Sequence, residues 1–237
     1  MQLTYNNKTI DIFRDREPEH IGISLSGGLD SASLLYIIVK YFRHIKITPI
    51  IAIDANARMD ALCALDVIGF VQDTFLDHSI QPTESFHFDH RDPYWLKKAQ
   101  RLHDAGSTIQ EVALRVGGTS KNIQMANGVN NIRKVSFHEY EIFGLTSNPP
   151  DDVMKERGFF DIAEPSRNEP HNRPYNKSYP YINVDKKFIA EIYKTEGLME
   201  TLYHITRSCV GMKGATDYGI KECGCCFWCH EKKWGFE

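Results

Sequence analysis

Between Ile21 and Leu35 the chain reads IGISLSGGLDSASLL: an apolar run, a polar hexapeptide and a second apolar run. Residues 21–25 have the length and β-branched content of a buried strand, and a glycine turn ends them. Over residues 31–42, Leu34, Leu35, Ile38 and Phe42 recur at helical spacing. A second strand follows at 47–53 (ITPIIAI), then a second helix at 58–71 with Leu62, Leu65, Ile68 and Val71 expected on one face. Strand, helix, strand, helix is the pattern of parallel strands with right-handed crossovers, so the chain is expected to build an open α/β sheet.

The rest of the chain completes that reading. Helices are expected at 92–105, 108–116 and 121–132, separated by Gly106 and by Gly117-Gly118. Residues 139–145 (EYEIFGL) return as a strand, and the Pro-, Asn- and Asp-rich stretch 146–180 reads as a long loop or lid. Residues 186–203 read as a helix interrupted at Gly197, and a short cysteine-dense tail begins at Cys209. The expected division is a main domain over 1–208 and a metal-binding tail over 209–237 packed on it.

With 237 residues, 42% hydrophobic and 25% charged, the composition is that of a soluble globular chain. A net charge of −3 gives no global electrostatic case for nucleic acid or an anionic membrane. No apolar run approaches the roughly 20 residues that cross a bilayer. MQLTYNNKTIDIF lacks the basic and apolar regions of a signal peptide, and the chain is read as cytoplasmic.

A turn needs one glycine; the hexapeptide SGGLDS carries far more polarity than a turn requires. Gly27 and Gly28 have no Cβ, so their backbone can approach a phosphate closely, and the helix that follows aims unpaired N–H groups at the same point. Ser26 and Ser31 add hydroxyls. Asp30 is either the helix cap or a carboxylate that faces a phosphate-bridging Mg²⁺. No lysine follows at Walker spacing, and the Gly-x-Gly-x-x-Gly pattern is absent.

The hexapeptide resembles the SGGxDS signature of the PP-loop ATP pyrophosphatases, whose adenine nucleotide alpha-hydrolase-like sheet is the fold it implies. Members cleave ATP to AMP and pyrophosphate while adenylating a substrate. The resemblance places ATP, with Mg²⁺, along Ser24, Leu25, Ser26, Gly27, Gly28, Leu29, Asp30 and Ser31. It gives Ser26, Asp30 and Ser31 the catalytic roles, and puts adenine beside Asp54 at the tip of the second strand; helix capping is the competing reading of Asp54. Lys121, Arg133 and Arg167 are candidate anion contacts, with ordinary surface charge as the alternative.

Five of the six cysteines lie at Cys209, Cys223, Cys225, Cys226 and Cys229. Clustering of this kind in a reducing compartment points to a metal, and Cys226-x-x-Cys229 is a knuckle that supplies adjacent corners of a tetrahedron. Spacing leaves an Fe–S cluster open, and leaves Cys225 as an alternative ligand. The tail is similar to the zinc site of the 7-cyano-7-deazaguanine synthases, a PP-loop family; that match implies Zn²⁺ on Cys209, Cys223, Cys226 and Cys229.

The run YPYINVDKKFIAEIYKTEGLMETLYHITRSC, the strand EIFGLTSN and Lys121-Asn122 line up loosely with the same family. Two stretches depart from it. Ala55-Asn56-Ala57 stands where the family has Tyr-Gly-Gln, and TSNPPDDVMKERGFF replaces its Tyr-Pro-Asp-Cys-Arg element. The implied reaction joins a 7-carboxy-7-deazaguanine-like carboxylate to ammonia, passing through an amide to a nitrile. Other acceptors, as in tRNA thiolation or amide ligation, are the alternative within this chemistry. From a different class, residues 106–132 read as a helix–turn–helix for nucleic acid, which the acidic charge disfavours. A homodimer is left open.

Overall fold

Strands stand at all three expected positions and pair in parallel, and two more strands extend the sheet. The computed structural model describes residues 2–13, 17–54, 58–88, 104, 132–133, 136–158, 177–209 and 222–237. In chain order the elements are β1 (Gln2–Tyr5), β2 (Lys8–Asp11), β3 (His20–Leu25), α1 (Leu29–Tyr41), β4 (Lys46–Asp54), α2 (Arg58–Thr74), β5 (Glu84–Phe88) and β6 (Tyr140–Phe143). Then follow α3 (Asp151–Glu156), β7 (Lys177–Ser178), α4 (Lys186–Thr195), α5 (Leu202–Ile205) and α6 (Phe227–Phe236). The main sheet has the order β5-β4-β3-β6-β7, and every pair in it is parallel.

That order carries a consequence. From β3 the chain winds through α1 and β4 to β5 on one side, then returns to β6 on the other. The winding therefore reverses between β3 and β6, and the crevice at their carboxyl ends is where open α/β sheets take ligands. Ile21, Ile23 and Leu25 of β3 are buried, as are Leu34, Leu35, Ile37 and Ile38 of α1. Each such side chain contributes about 1.5–3 kcal/mol, which makes the β3–α1 unit a rigid base for the turn between them.

The face of α2 differs from the expectation. Leu62 and Leu65 are 51% and 50% exposed, whereas Ala61, Ala64, Val67, Ile68 and Val71 are buried. The reason is space. A Cβ at Gly27 would lie 2.4 Å from Asp60 O and 2.9 Å from Ala64 N, so α2 packs its small-residue side against the turn after β3. Leucines on that side would hold the helix away.

Six elements lie outside the sequence reading. The β1–β2 hairpin turns at Asn6 and Asn7, both left-handed at φ 46° and 59°, the conformation of a type I′ turn. Strand β5 extends the sheet past β4. The expected loop at 146–180 contains α3 and β7, and the expected cysteine tail contains α6. The break at Gly197 is present, with φ +71° directly after α4 and its cap. The helices expected between 92 and 132, and with them the helix–turn–helix stretch, fall almost wholly outside the described residues. Among the described residues no helix is long and apolar enough to cross a membrane.

Candidate active site and metal centre

The SGGLDS turn leaves the carboxyl end of β3 and runs directly into α1. Ser24 and Leu25 close the strand, Ser26 to Gly28 form the turn, and Leu29, Asp30 and Ser31 are the first turn of the helix. Gly27 sits at φ +72°, which costs a residue with a Cβ about 1–2 kcal/mol. Ser26 is exposed, so the turn opens outward, while Ser31 is buried beneath it.

Hydrogen bonds hold the turn. Ser26 N donates to Ser31 Oγ at 3.3 Å, and Ser31 Oγ donates to Gly28 O at 3.2 Å. Gly28 N approaches Ser26 Oγ at 3.4 Å, and Arg207 N donates to Gly27 O at 2.8 Å. The first N–H groups of α1 have no acceptor within the helix. A glycine turn that leads into a helix start is an arrangement suited to an anion.

The loop after β6 closes against the same turn. A Cβ on Gly144 would fall 2.7 Å from Ser31 N, so only glycine lets the two backbones meet. Two residues on, Thr146 Oγ1 donates to Asp30 Oδ2 at 3.2 Å. Both loops at the reversal of the winding are thus joined through Asp30.

Neither expected role of Asp30 matches its contacts. The cap position of α1 is Gly28, with extended backbone at φ −85° and ψ 162°. The Asp30 carboxylate instead takes Lys186 Nζ on both oxygens, at 2.6 and 2.7 Å. Lys186 is 4% exposed and lies 156 residues away in sequence, which no local pattern reports.

Asp54 is the last residue of β4, beside β3, where its backbone pairs in register with Phe88. Lys121 and Arg167 lie outside the described residues. Arg133 is placed away from the turn: its Nη2 donates to Glu139 O at 3.3 Å, just before the amino end of β6. It is not an anion contact for this crevice. Cys63 lies behind the turn, its Cβ 2.7 Å from where a Gly27 side chain would start, and burial pushes its thiol up.

The second site is at the carboxyl-terminal helix. Sγ atoms of Cys209, Cys223, Cys226 and Cys229 all lie within 4.8 Å of one another. Cys226 Sγ is 3.4 Å from Cys229 Sγ, and Cys223 Sγ is 3.9 Å from it. A Zn–S distance of about 2.3 Å makes a tetrahedral edge of about 3.8 Å, so this spacing fits a single tetrahedral ion. A 4Fe–4S cluster binds each thiolate through a separate iron and spreads them wider. Cys225 is exposed and lies outside the group. Four protein ligands leave no open position, which is the arrangement of a structural site.

Helix α6 starts at Cys226 of this group, which occupies its cap position, and carries Cys229 in its first turn. On the far side of the group, Arg207 Nε donates to Cys209 O at 3.2 Å while its own N–H is bound to Gly27 O. One residue, Ser208, therefore separates Cys209 of this group from direct contact with the SGGLDS turn.

No family model matches the chain, and no curated protein matches it. Among solved structures it is similar to NMN synthetase from Francisella tularensis, at 16% identity over 78% of this chain and 64% of that one, with a TM-score of 0.43. It is similar to the U34-tRNA thiolase NcsA from Methanococcus maripaludis with its 4Fe–4S cluster, at 12% identity over 77% and 59%, TM-score 0.43. A third is the NH3-dependent NAD synthetase from Campylobacter jejuni subsp. jejuni NCTC 11168 in complex with the nitrate ion, at 12% identity over 79% and 68%, TM-score 0.41. The chain spans less than two thirds of the length of the first two.

Proposed function

We propose that the chain is an ATP-dependent ligase that activates a carboxylate by adenylation and joins it to ammonia, most closely in the manner of a 7-cyano-7-deazaguanine synthase. One observation carries the nucleotide part. The SGGLDS turn lies at the reversal of a parallel sheet, with Gly27 in left-handed backbone and the start of α1 directed at the crevice. The choice of acceptor rests on the resemblance of the cysteine tail.

In this reading the backbone N–H groups of Gly27 to Asp30 and the Ser26 hydroxyl hold the pyrophosphate portion of ATP. A carboxylate oxygen of the substrate attacks the α-phosphorus, and the bond from that phosphorus to pyrophosphate breaks. Ammonia adds to the acyl-adenylate and AMP leaves, giving the amide. A second adenylation, on the amide oxygen, and loss of AMP give the nitrile, so each nitrile consumes two ATP. The catalysis required is positioning and charge stabilisation. Asp30 is engaged by Lys186, so Mg²⁺ enters only as the counter-ion that ATP carries. Zn²⁺ on the four cysteines is structural and takes no part in the steps.

The test incubates the metal-loaded protein with ATP, 7-carboxy-7-deazaguanine and ammonium, followed by mass spectrometry. AMP, pyrophosphate and nitrile in the ratio 2:2:1 are the expected products. AMP formation with a different carboxylate would replace the acceptor. No AMP with any carboxylate tried would overturn the adenylation reading.

A further inference from the structure

Lys186 is the first residue of α4, set there by Asp185, whose Oδ1 accepts from Lys187 N and Phe188 N at 3.1 and 3.2 Å. Its side chain is 6% exposed and runs between two other elements. On one side it meets Asp30 at the start of α1. On the other it meets Glu231 of α6, with Nζ 3.8 Å from Oε2, and the Glu231 side chain is 2% exposed. Gly235 of α6 lies against the lysine stem: a Cβ there would come 2.5 Å from Lys186 Cγ. The helix that begins at the cysteine centre thus packs along the lysine that holds Asp30.

Asp30 in turn accepts from Thr146 after β6, so one carboxylate joins three segments. A carboxylate in a first helical turn suits the helix dipole but repels a phosphate nearby. An ammonium on both of its oxygens removes most of that repulsion and fixes its direction.

We propose that Lys186 is a positioning residue. It neutralises and orients Asp30, and through Glu231 and Gly235 it couples the phosphate-binding turn to the four-cysteine centre. This rests on the nucleotide reading of the turn. It gives Asp30 the role of an anchor for that turn, in place of a magnesium ligand.

The test is a mutant cycle on the zinc-loaded protein, read as the dissociation constants of ATP and of inorganic pyrophosphate, with zinc content measured in each variant. Lys186→Met and Asp30→Asn are each expected to weaken both ligands about tenfold, and the double variant to be no weaker than the poorer single. Glu231→Gln is expected to weaken them about threefold, and to have no effect in the Lys186→Met background. Zinc stays at about one per chain throughout. Where substrate turns over, Lys186→Met and Glu231→Gln are expected to raise KM for ATP with kcat held.

Single losses that multiply in the double variant, or Lys186→Met that binds as wild type does, overturn the positioning role. Should Lys186→Met fail to fold, Asp30→Asn, Glu231→Gln and their double form the same cycle, and there too multiplicative losses overturn it. Wild type that binds neither ATP nor pyrophosphate overturns the nucleotide reading itself, and this role falls with it.

Discussion

Gly27→Ala is the sharpest probe of the turn, because the molecule contains its own control. Gly27 and Gly197 have nearly the same backbone, at φ +72° and +71°. An alanine at either position bears the left-handed cost of about 1–2 kcal/mol. Around Gly197 nothing lies within 4 Å of the added Cβ, so that cost is the whole effect. At Gly27 the Cβ meets Asp60 O at 2.4 Å, Cys63 Cβ at 2.7 Å and Ala64 N at 2.9 Å. Two of those three atoms are backbone of α2 and cannot swing away, so the turn or the helix must shift. Overpacking of this kind costs about 1–3 kcal/mol more. Urea denaturation of both variants reads the difference, and pyrophosphate binding reads whether the turn moved. Gly27→Ala should be less stable than Gly197→Ala by that second amount and should bind pyrophosphate poorly, while Gly197→Ala binds as wild type does. Equal destabilisation of the two would refute the close packing of α2 on the turn.

Three further outcomes are expected. Purified protein carries about one zinc per chain, and Cys226→Ser loses it together with solubility, as elemental analysis will show; well-folded wild type free of metal would remove the zinc assignment. Glu196, with its side chain 3% exposed, accepts from Tyr5 at 2.7 Å, from Tyr41 at 2.9 Å and from Lys40. Burial raises its pKa, but these donors outweigh burial and hold it below the ordinary 4.5. A depressed carboxylate stabilises fully above the unfolded value and loses that contribution as pH falls through the folded one. Glu196→Gln should therefore cost about 1–3 kcal/mol at pH 7, and the gap to wild type in urea titrations should narrow below pH 4.5; a pH-independent gap would show that the charge is immaterial. On α2, Ile68→Ala should cost about 2–5 kcal/mol and Leu62→Ala at most about 0.5 kcal/mol, since Leu62 is half exposed. Comparable losses at both positions in thermal melts would restore the leucine face.

The parts of this protein legible in the sequence are those that local chemistry specifies. The run from Ile21 to Leu35 encodes strand, turn and helix within 15 neighbouring residues, because periodicity and glycine act over one or two turns of chain. The clustered cysteines at 223, 226 and 229 are close enough in sequence for knuckle geometry to announce them. Legibility faded on α2, where leucine content suggested one face and the nearness of Gly27 selected another built on alanine. Strand β5 and helix α6 carry no strong periodic signal of their own and are held by partners already in place.

Tertiary structure alone decided what Asp30 does. In sequence it is a carboxylate in a phosphate-type turn, with a cap and a cation as its natural roles. In the fold its partner is Lys186, brought across 156 positions by the packing of α4 beside α1. Sheet order belongs to the same class: the reversal between β3 and β6 follows from which strands pair, and pairing is a long-range choice. A sequence states the chemistry that neighbouring residues can perform on one another. Which distant charge meets a half-buried carboxylate depends on the desolvation that only the assembled core imposes, and there the burial of Lys186 and Glu231 beside Asp30 required that they be placed as one group.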